Sequence, residues 1–149
     1  MARILVVDDN ADIRRLIGTI LAPSGHELLY AEDGEKALEA IKARSPELVV
    51  LDVMMPKMDG LMVLKQMRVA GLRDSTKVLM LTAKSSESDW VRGYKLGADS
   101  YLTKPFDPPE LTGAVEELFS MTKERLRERR EEELHRAQML SRLESIFQG

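Results

Sequence analysis

Five short, largely apolar runs recur along this chain, the first of them rich in β-branched residues, and segments with helical spacing separate them. The runs are RILVV at 3–7, HELLYA at 26–31, ELVVL at 47–51, KVLMLT at 77–82 and DSYLT at 99–103. Unbroken apolarity over four or five residues fits a strand covered on both faces rather than one with a wet side. Between the runs, apolar residues return every three or four positions: Ile13, Leu16, Ile17, Ile20 and Leu21; Ala37, Leu38 and Ile41; Leu61, Val63, Leu64 and Met67; Trp90, Val91, Tyr94 and Leu96. Punctuation agrees with these divisions. Asn10 or Asp12 can cap the first helix, the stretch Pro23 to Gly25 ends it, Gly34 opens the second helix, Pro46 precedes the third strand and Gly97 follows the fourth helix. Strict alternation with short loops predicts an α/β fold, a parallel sheet covered by helices on both faces and joined by right-handed crossovers.

That architecture directs attention to one edge, because ligands of such sheets bind outside the carboxyl ends of the strands. Asp8 and Asp9 end the first strand, Asp52 the third and Thr82 the fourth, and Lys104 follows the fifth. Three carboxylates brought together repel and raise one another's pKa values unless a cation or a proton intervenes. With no Cys anywhere and no His nearby, the donors are hard oxygens, which suit Mg2+. Absence of Cys also removes disulfides, thiolate catalysis and Cys-ligated zinc.

Four stretches carry a resemblance: LVVDDN at 5–10, LVVLDVMMPKMDG at 48–60, LMLTAK at 79–84 and YLTKPF at 101–106. In this order, each at a strand end, they resemble the landmarks of the CheY-like receiver domain of two-component response regulators, over about residues 2–121. The resemblance implies a doubly wound, flavodoxin-like sheet with strand order 2-1-3-4-5 and five helices, the last one extended. It also implies roles. Asp52 is the phosphoacceptor, attacking the phosphorus of a phosphohistidine as an ionised carboxylate. Asp9, Asp52 and the backbone carbonyl of Met54 hold Mg2+ directly, and Asp8 acts largely through a bound water. Lys104 binds a phosphoryl oxygen, and Thr82 donates its hydroxyl to the same group. Movement of Thr82 then makes room for the ring of Tyr101 to turn, which alters the surface formed by the fourth helix, fifth strand and fifth helix. A cis peptide between Lys104 and Pro105 is implied as well. Bulky Met54 would impede hydrolysis, Lys84 would retain phosphate or meet a partner, and small Ala83 leaves access to the acceptor.

Plainer readings stand beside these. A lone aspartate at a strand end is usually a loop cap, Thr82 an ordinary strand residue, Lys104 a surface charge and Tyr101 a packed aromatic. Met54, Met55, Met58, Met62 and Met67 read as gap-filling residues, Gly60 as a turn residue, and His26 and His135 as solvated side chains. Convergence of five polar residues on one edge is what favours the functional reading of the first group.

After residue 121 the chain changes character. From Glu116 to Phe147 there is no Pro or Gly, and Glu, Arg, Leu and Ala favour helix. The expectation is a receiver domain at 1–121 and a helical extension at 122–149 that continues the last helix as a solvated rod of about 50 to 60 Å. KERLRERREEE lacks an apolar stripe, and Glu132 with Arg136 would support it at four-residue spacing. Leu140, Leu143 and Phe147 keep four-three spacing, with Leu134, Ala137 and Ile146 adjoining, a stripe shorter than the three or four heptads of an established coiled coil. Homodimerisation through this helix is expected over a frayed monomer tail, and a linker helix into an output domain is the other reading.

At 149 residues, 44% hydrophobic and 32% charged, the chain has the size of one domain plus an appendage and the composition of a protein that folds in water. No run approaches the roughly 18 to 20 apolar residues of a spanning helix, and the N-terminus lacks a secretory pattern, so cytoplasmic location without membrane contact is expected. Net charge is −3, and residues 123–149 hold 7 Lys and Arg against 6 Asp and Glu, no footprint for direct nucleic-acid binding. The expected partners are a histidine kinase or phosphotransfer protein and a downstream protein or output domain. The chain is expected to be no enzyme beyond its own phosphorylation and dephosphorylation. Two other classes compete: a constitutive receiver-like interaction scaffold, and an aspartyl phosphatase, which lacks a carboxylate at Met54 to serve as general acid.

Overall fold

Period-two alternation inside the continuous apolar runs decides which side chains face which layer of the protein. In the computed structural model the described residues are 2–72, 75–83 and 87–148, without the side chains of 87–90 and 148. Lys84 and the side chain of Trp90 therefore lie outside the described residues. The strands are β1 (Arg3–Val7), β2 (Glu27–Ala31), β3 (Leu48–Asp52), β4 (Lys77–Thr82) and β5 (Ser100–Thr103). They form one parallel sheet in the order β2-β1-β3-β4-β5. Leu5, Val7, Val49, Leu51, Val78 and Met80 point to one core layer. Ile4, Val6, Leu48, Val50, Leu79 and Leu81 point to the other.

Helices α2 (Gly34–Arg44), α3 (Gly60–Val69) and α4 (Glu87–Leu96) cover the first layer; α1 (Ala11–Leu21) and α5 (Pro108–Ser120) cover the second. The first cap falls at Asn10, where the sequence places it, and two more, which spacing did not single out, follow at Asp33 and Asp59. Asn10 caps α1 by accepting the N–H groups of Asp12 and Ile13, Asp33 caps α2 and Asp59 caps α3. Gly97 has φ +100°, a left-handed position that glycine fills without strain. The Lys104–Pro105 peptide is cis.

The tail departs from the uninterrupted rod. Alpha-helix α5 ends at Ser120, Met121 is extended (φ −86°, ψ 140°), and a separate helix α6 runs from Lys123 to Gln148. The described residues thus hold six α-helices and a 3-10 turn at Ala22–Ser24. Two side chains make the corner. Lys77 Nζ donates to the carbonyls of Leu118 (2.7 Å) and Met121 (3.3 Å), occupying acceptors that the end of α5 leaves open. Thr122 Oγ1 accepts the N–H of Arg125 and starts α6.

Beyond the corner, α6 packs along α4 rather than projecting away. Leu126 joins the second core layer and Ala137 is buried. Half-buried Leu134 adds to this inward face, and ion pairs complete it: Arg130 pairs with buried Asp99 at 2.5 Å, and Arg129 with Glu117. Burial, reinforced by Glu133, pushes the Tyr94 phenol beneath α6 up to about 12. Glu132 pairs with Arg125, and Arg136 with Glu133, in place of the expected Glu132–Arg136 pair. His26 also differs from its reading as a solvated side chain. It accepts the Ala2 N–H, lies against Phe119 at 4.9 Å and is only 18% exposed. His135 is exposed. No helix among the described residues is long and apolar enough to cross a membrane.

Candidate functional site

Parallel strands bring their carboxyl ends to one edge, so residues far apart in sequence meet there. Asp8 follows β1, Asp52 ends β3, Thr82 ends β4 and Lys104 follows β5. One carboxylate oxygen each from Asp8, Asp9 and Asp52 lie within 4.8 Å of one another. Asp8 and Asp52 are buried, Asp9 is exposed, and Thr82 is buried beside them at the end of β4.

Lys104 is the cation that reaches this group. Its Nζ lies 2.9 Å from Asp8 Oδ2 and 3.4 Å from Asp52 Oδ1, while its backbone N–H donates to the Thr82 carbonyl at 2.6 Å. Burial weakens the ammonium's hold on its proton, but the Asp8 hydrogen bond and the attraction of Asp52 and Asp8 together outweigh that effect, so the pKa lies above the usual lysine value. Asp52 carries the opposite balance. Burial pushes its pKa up, Lys104 pulls it down and Asp8 pushes it up again, with the result near 6. Among the described residues, three carboxylates face the Lys104 ammonium, with the Arg14 guanidinium bound to the Asp8 carbonyl behind them, and every donor turned to the pocket is a hard oxygen. That donor set fits a small divalent cation such as Mg2+, which prefers few carboxylates and retains several waters.

Backbone contacts fix in place the loops that carry Asp8 and Asp52. Asp8 Oδ1 accepts the Asn10 N–H at 2.9 Å, and the Asp8 carbonyl accepts from Arg14 Nη1 at 2.7 Å. Asp52 Oδ1 accepts the Met54 N–H at 3.2 Å. Gly60, read in the sequence as a turn residue, instead permits a close approach. A Cβ on it would stand 2.3 Å from the Asp52 carbonyl oxygen, and its N–H donates to Val53 at 2.9 Å. Neither Arg14 nor the reason for Gly60 was legible in composition or spacing, since both act on backbone that folds back from elsewhere. Met54 is 67% exposed at the rim, Met55 and Met67 are buried, and Ala83 is exposed.

Tyr101 does not join the carboxylate group. It lies partly buried on the face of the sheet that α4 covers, its ring 5.2 Å from Tyr94, and its hydroxyl rests against the α4 backbone at Gly93, where a Cβ would stand only 1.5 Å away. Met80 is its register partner and Thr82 lies two residues on, so strand alternation puts Thr82 and Tyr101 on one face.

Comparison with known proteins agrees with this arrangement. The chain is 47% identical over 117 residues to the alkaline phosphatase synthesis transcriptional regulatory protein PhoP of Bacillus subtilis (strain 168), covering 78% of this chain and 48% of that protein. It is 46% identical over 113 residues to the probable transcriptional regulator ycf27 of Porphyridium aerugineum, covering 76% and 46%. The chain thus spans about half the length of these curated relatives. Among solved structures, the receiver domain of the Francisella response regulator 1452 superposes with a TM-score of 0.74 at 36% identity, covering 80% of this chain and 97% of that one. Residues 4–116 match the response regulator receiver domain family, and with its carboxylate edge and 2-1-3-4-5 sheet the chain belongs to that family.

Proposed function

We propose that this receiver is a phosphorylation switch in which Asp52 takes a phosphoryl group from the phosphohistidine of a histidine kinase or phosphotransfer protein. A carboxylate oxygen of Asp52 forms the new bond to phosphorus, the phosphorus–nitrogen bond breaks, and the imidazole leaves with its electron pair and is protonated from solvent. Asp9, Asp52 and the Met54 carbonyl would hold Mg2+, with Asp8 acting through a bound water. When bound, the metal offsets negative charge on the phosphoryl oxygens and favours in-line displacement. Lys104, already seated between Asp8 and Asp52, supplies a second positive charge to those oxygens, and Thr82 supplies a hydroxyl donor. On this reading the chain catalyses only its own phosphorylation and dephosphorylation, and acts through the α4–β5–α5 surface on a partner or an output domain.

One observation carries the proposal: three carboxylates from two separate strand ends lie within 4.8 Å, two of them buried, with a lysine seated on them. A constitutive scaffold has no reason to keep so repulsive a group. The test is a titration with acetyl phosphate, or with beryllofluoride, in the presence of Mg2+. Wild type should take up one phosphoryl group and change the amide spectrum around β4 and β5, while Asp52→Asn should do neither. An equal response in both chains rules the proposal out, and indifference of wild type to millimolar Mg2+ favours the scaffold.

The same reading extends to self-association. Leu140, Leu143 and Phe147 at four-three spacing are 41%, 48% and 84% exposed on α6, an apolar stripe that a second copy of the helix would cover.

A further inference from the structure

Helix α6 lies across the same surface that Tyr101 adjoins. It starts at the corner made by Lys77 and passes over α4, with Arg129, Glu133 and Ala137 around a cavity of about 200 Å3 that Tyr94, Ser100 and Tyr101 line from below. Helix α6 therefore packs on the α4 side of the α4–β5–α5 surface, borders β5 at Ser100 and Tyr101, and reaches α5 through the Arg129–Glu117 pair.

The attachment is ionic more than apolar. Among the described α6 residues only Leu126 and Ala137 are buried, and Leu126 stands next to the corner. Between them stand half-buried Leu134 and two ion pairs, Arg129 to Glu117 and Arg130 to Asp99. Helix α5 offers Glu110, Glu116 and Glu117 and no basic residue, so it attracts arginines wherever they come from. Asp99, just before β5, is the firmest partner of α6. It is 1% exposed, and its Oδ2 accepts the Val78 N–H at 2.8 Å while Oδ1 accepts from Arg130. A latch of this kind orients a helix strongly yet lends it little net free energy, because desolvating the charges offsets much of their attraction. Such a cover can be released by a modest change beneath it.

Tyr101 is placed to pass on such a change. Its hydroxyl rests on the α4 backbone at Gly93 and its ring meets Tyr94, while the cavity under Arg129 and Glu133 adjoins it. A turn of this ring cannot leave both α4 and the seat of α6 as they are.

We propose that α6 is an intramolecular cover of the α4–β5–α5 surface, latched by Arg130 to Asp99 and released when the phosphorylated site turns Tyr101. The proposal rests on the Asp52 acceptor reading and goes beyond it by making the tail, not only a partner, a reader of the switch. Linkage then has a consequence that a passive tail lacks. If occupation of the Asp52 site loosens α6, loosening α6 must favour occupation of that site by the same factor.

Amide hydrogen exchange on the full chain, with Mg2+ and with or without beryllofluoride, tests both halves. In wild type, amides of residues 126–140 should exchange at least tenfold faster when beryllofluoride is bound, because an undocked helix loses the protection of packing. Arg130→Ala should show that fast exchange without beryllofluoride and should bind beryllofluoride more tightly, with β3 amides still protected to separate undocking from unfolding. Ala137→Glu, which sets a carboxylate into the buried contact, is the second variant and should behave alike. Unchanged α6 exchange in a wild-type chain whose Asp52 loop does respond overturns the cover and leaves the acceptor reading standing. So does an Arg130→Ala chain with a loose α6 and unaltered beryllofluoride affinity. No response at the Asp52 loop at all removes the acceptor reading, and the cover with it.

Discussion

Asp52 is buried in a place that disfavours its own charge, and this has a measurable cost. With its folded pKa near 6 against an ordinary 3.8, the native state binds the Asp52 proton more tightly than the unfolded chain does. Stability from this group is therefore fully present below pH 4 and is lost as pH rises through 6. Removing the charge should help where it is ionised. In metal-free buffer at pH 8, Asp52→Asn should raise unfolding stability by about 2 to 3 kcal/mol, a gain that shrinks toward pH 4 in urea titrations. Millimolar Mg2+ should stabilise wild type and leave the variant nearly unmoved. A variant no more stable than wild type at pH 8 would mean that Lys104 already neutralises the pocket. At this scale the sequence was largely legible: Asp8, Asp9, Asp52, Thr82 and Lys104 all sit at the strand ends where their runs stop. Gly60 and Arg14 were not, because their work is done on backbone that tertiary folding brings near.

Among the elements, strands were easier to read than the tail. Short apolar runs bounded by turn residues admit few alternatives, so β1 to β5 emerge near their expected bounds. The tail hid its inward face because arginine stems and ion pairs replace the apolar stripe that a docked helix usually shows. KERLRERREEE thus reads as solvated although Arg129 and Arg130 point at the domain. The corner was equally quiet, with no Pro or Gly between α5 and α6; only Thr122, a good N-cap, hints at a new start. Packing of α6 can be checked directly. Leu126→Ala, at a site 4% exposed, should lower stability by about 2 to 4 kcal/mol. Phe147→Ala, at 84% exposure, should stay within roughly 0.5 kcal/mol in the same chemical denaturation. Equal effects at the two positions would place α6 off the domain in solution.

For the molecule as a whole, the question is what its outer face meets. The apolar end of α6 predicts concentration-dependent association that beryllofluoride strengthens, since release of the helix would let the stripe of Leu140, Leu143 and Phe147 pair along its length. Light scattering should record a rise toward twice the monomer mass, and Leu143→Glu should abolish it while leaving phosphoryl uptake intact. A mass that stays monomeric at hundreds of micromolar would remove the self-association reading.

The position of β4 ties the two ends of the molecule together. Thr82 closes this strand beside the carboxylates, and Lys77 opens it beneath the corner where α5 gives way to α6. Five residue steps, roughly 17 Å of extended backbone, separate a hydroxyl at one rim from an ammonium at the other. Held on both sides by β3 and β5, such a rod transmits displacement along its axis with little give, so a tug at the acidic rim is also a tug on the pivot of the tail.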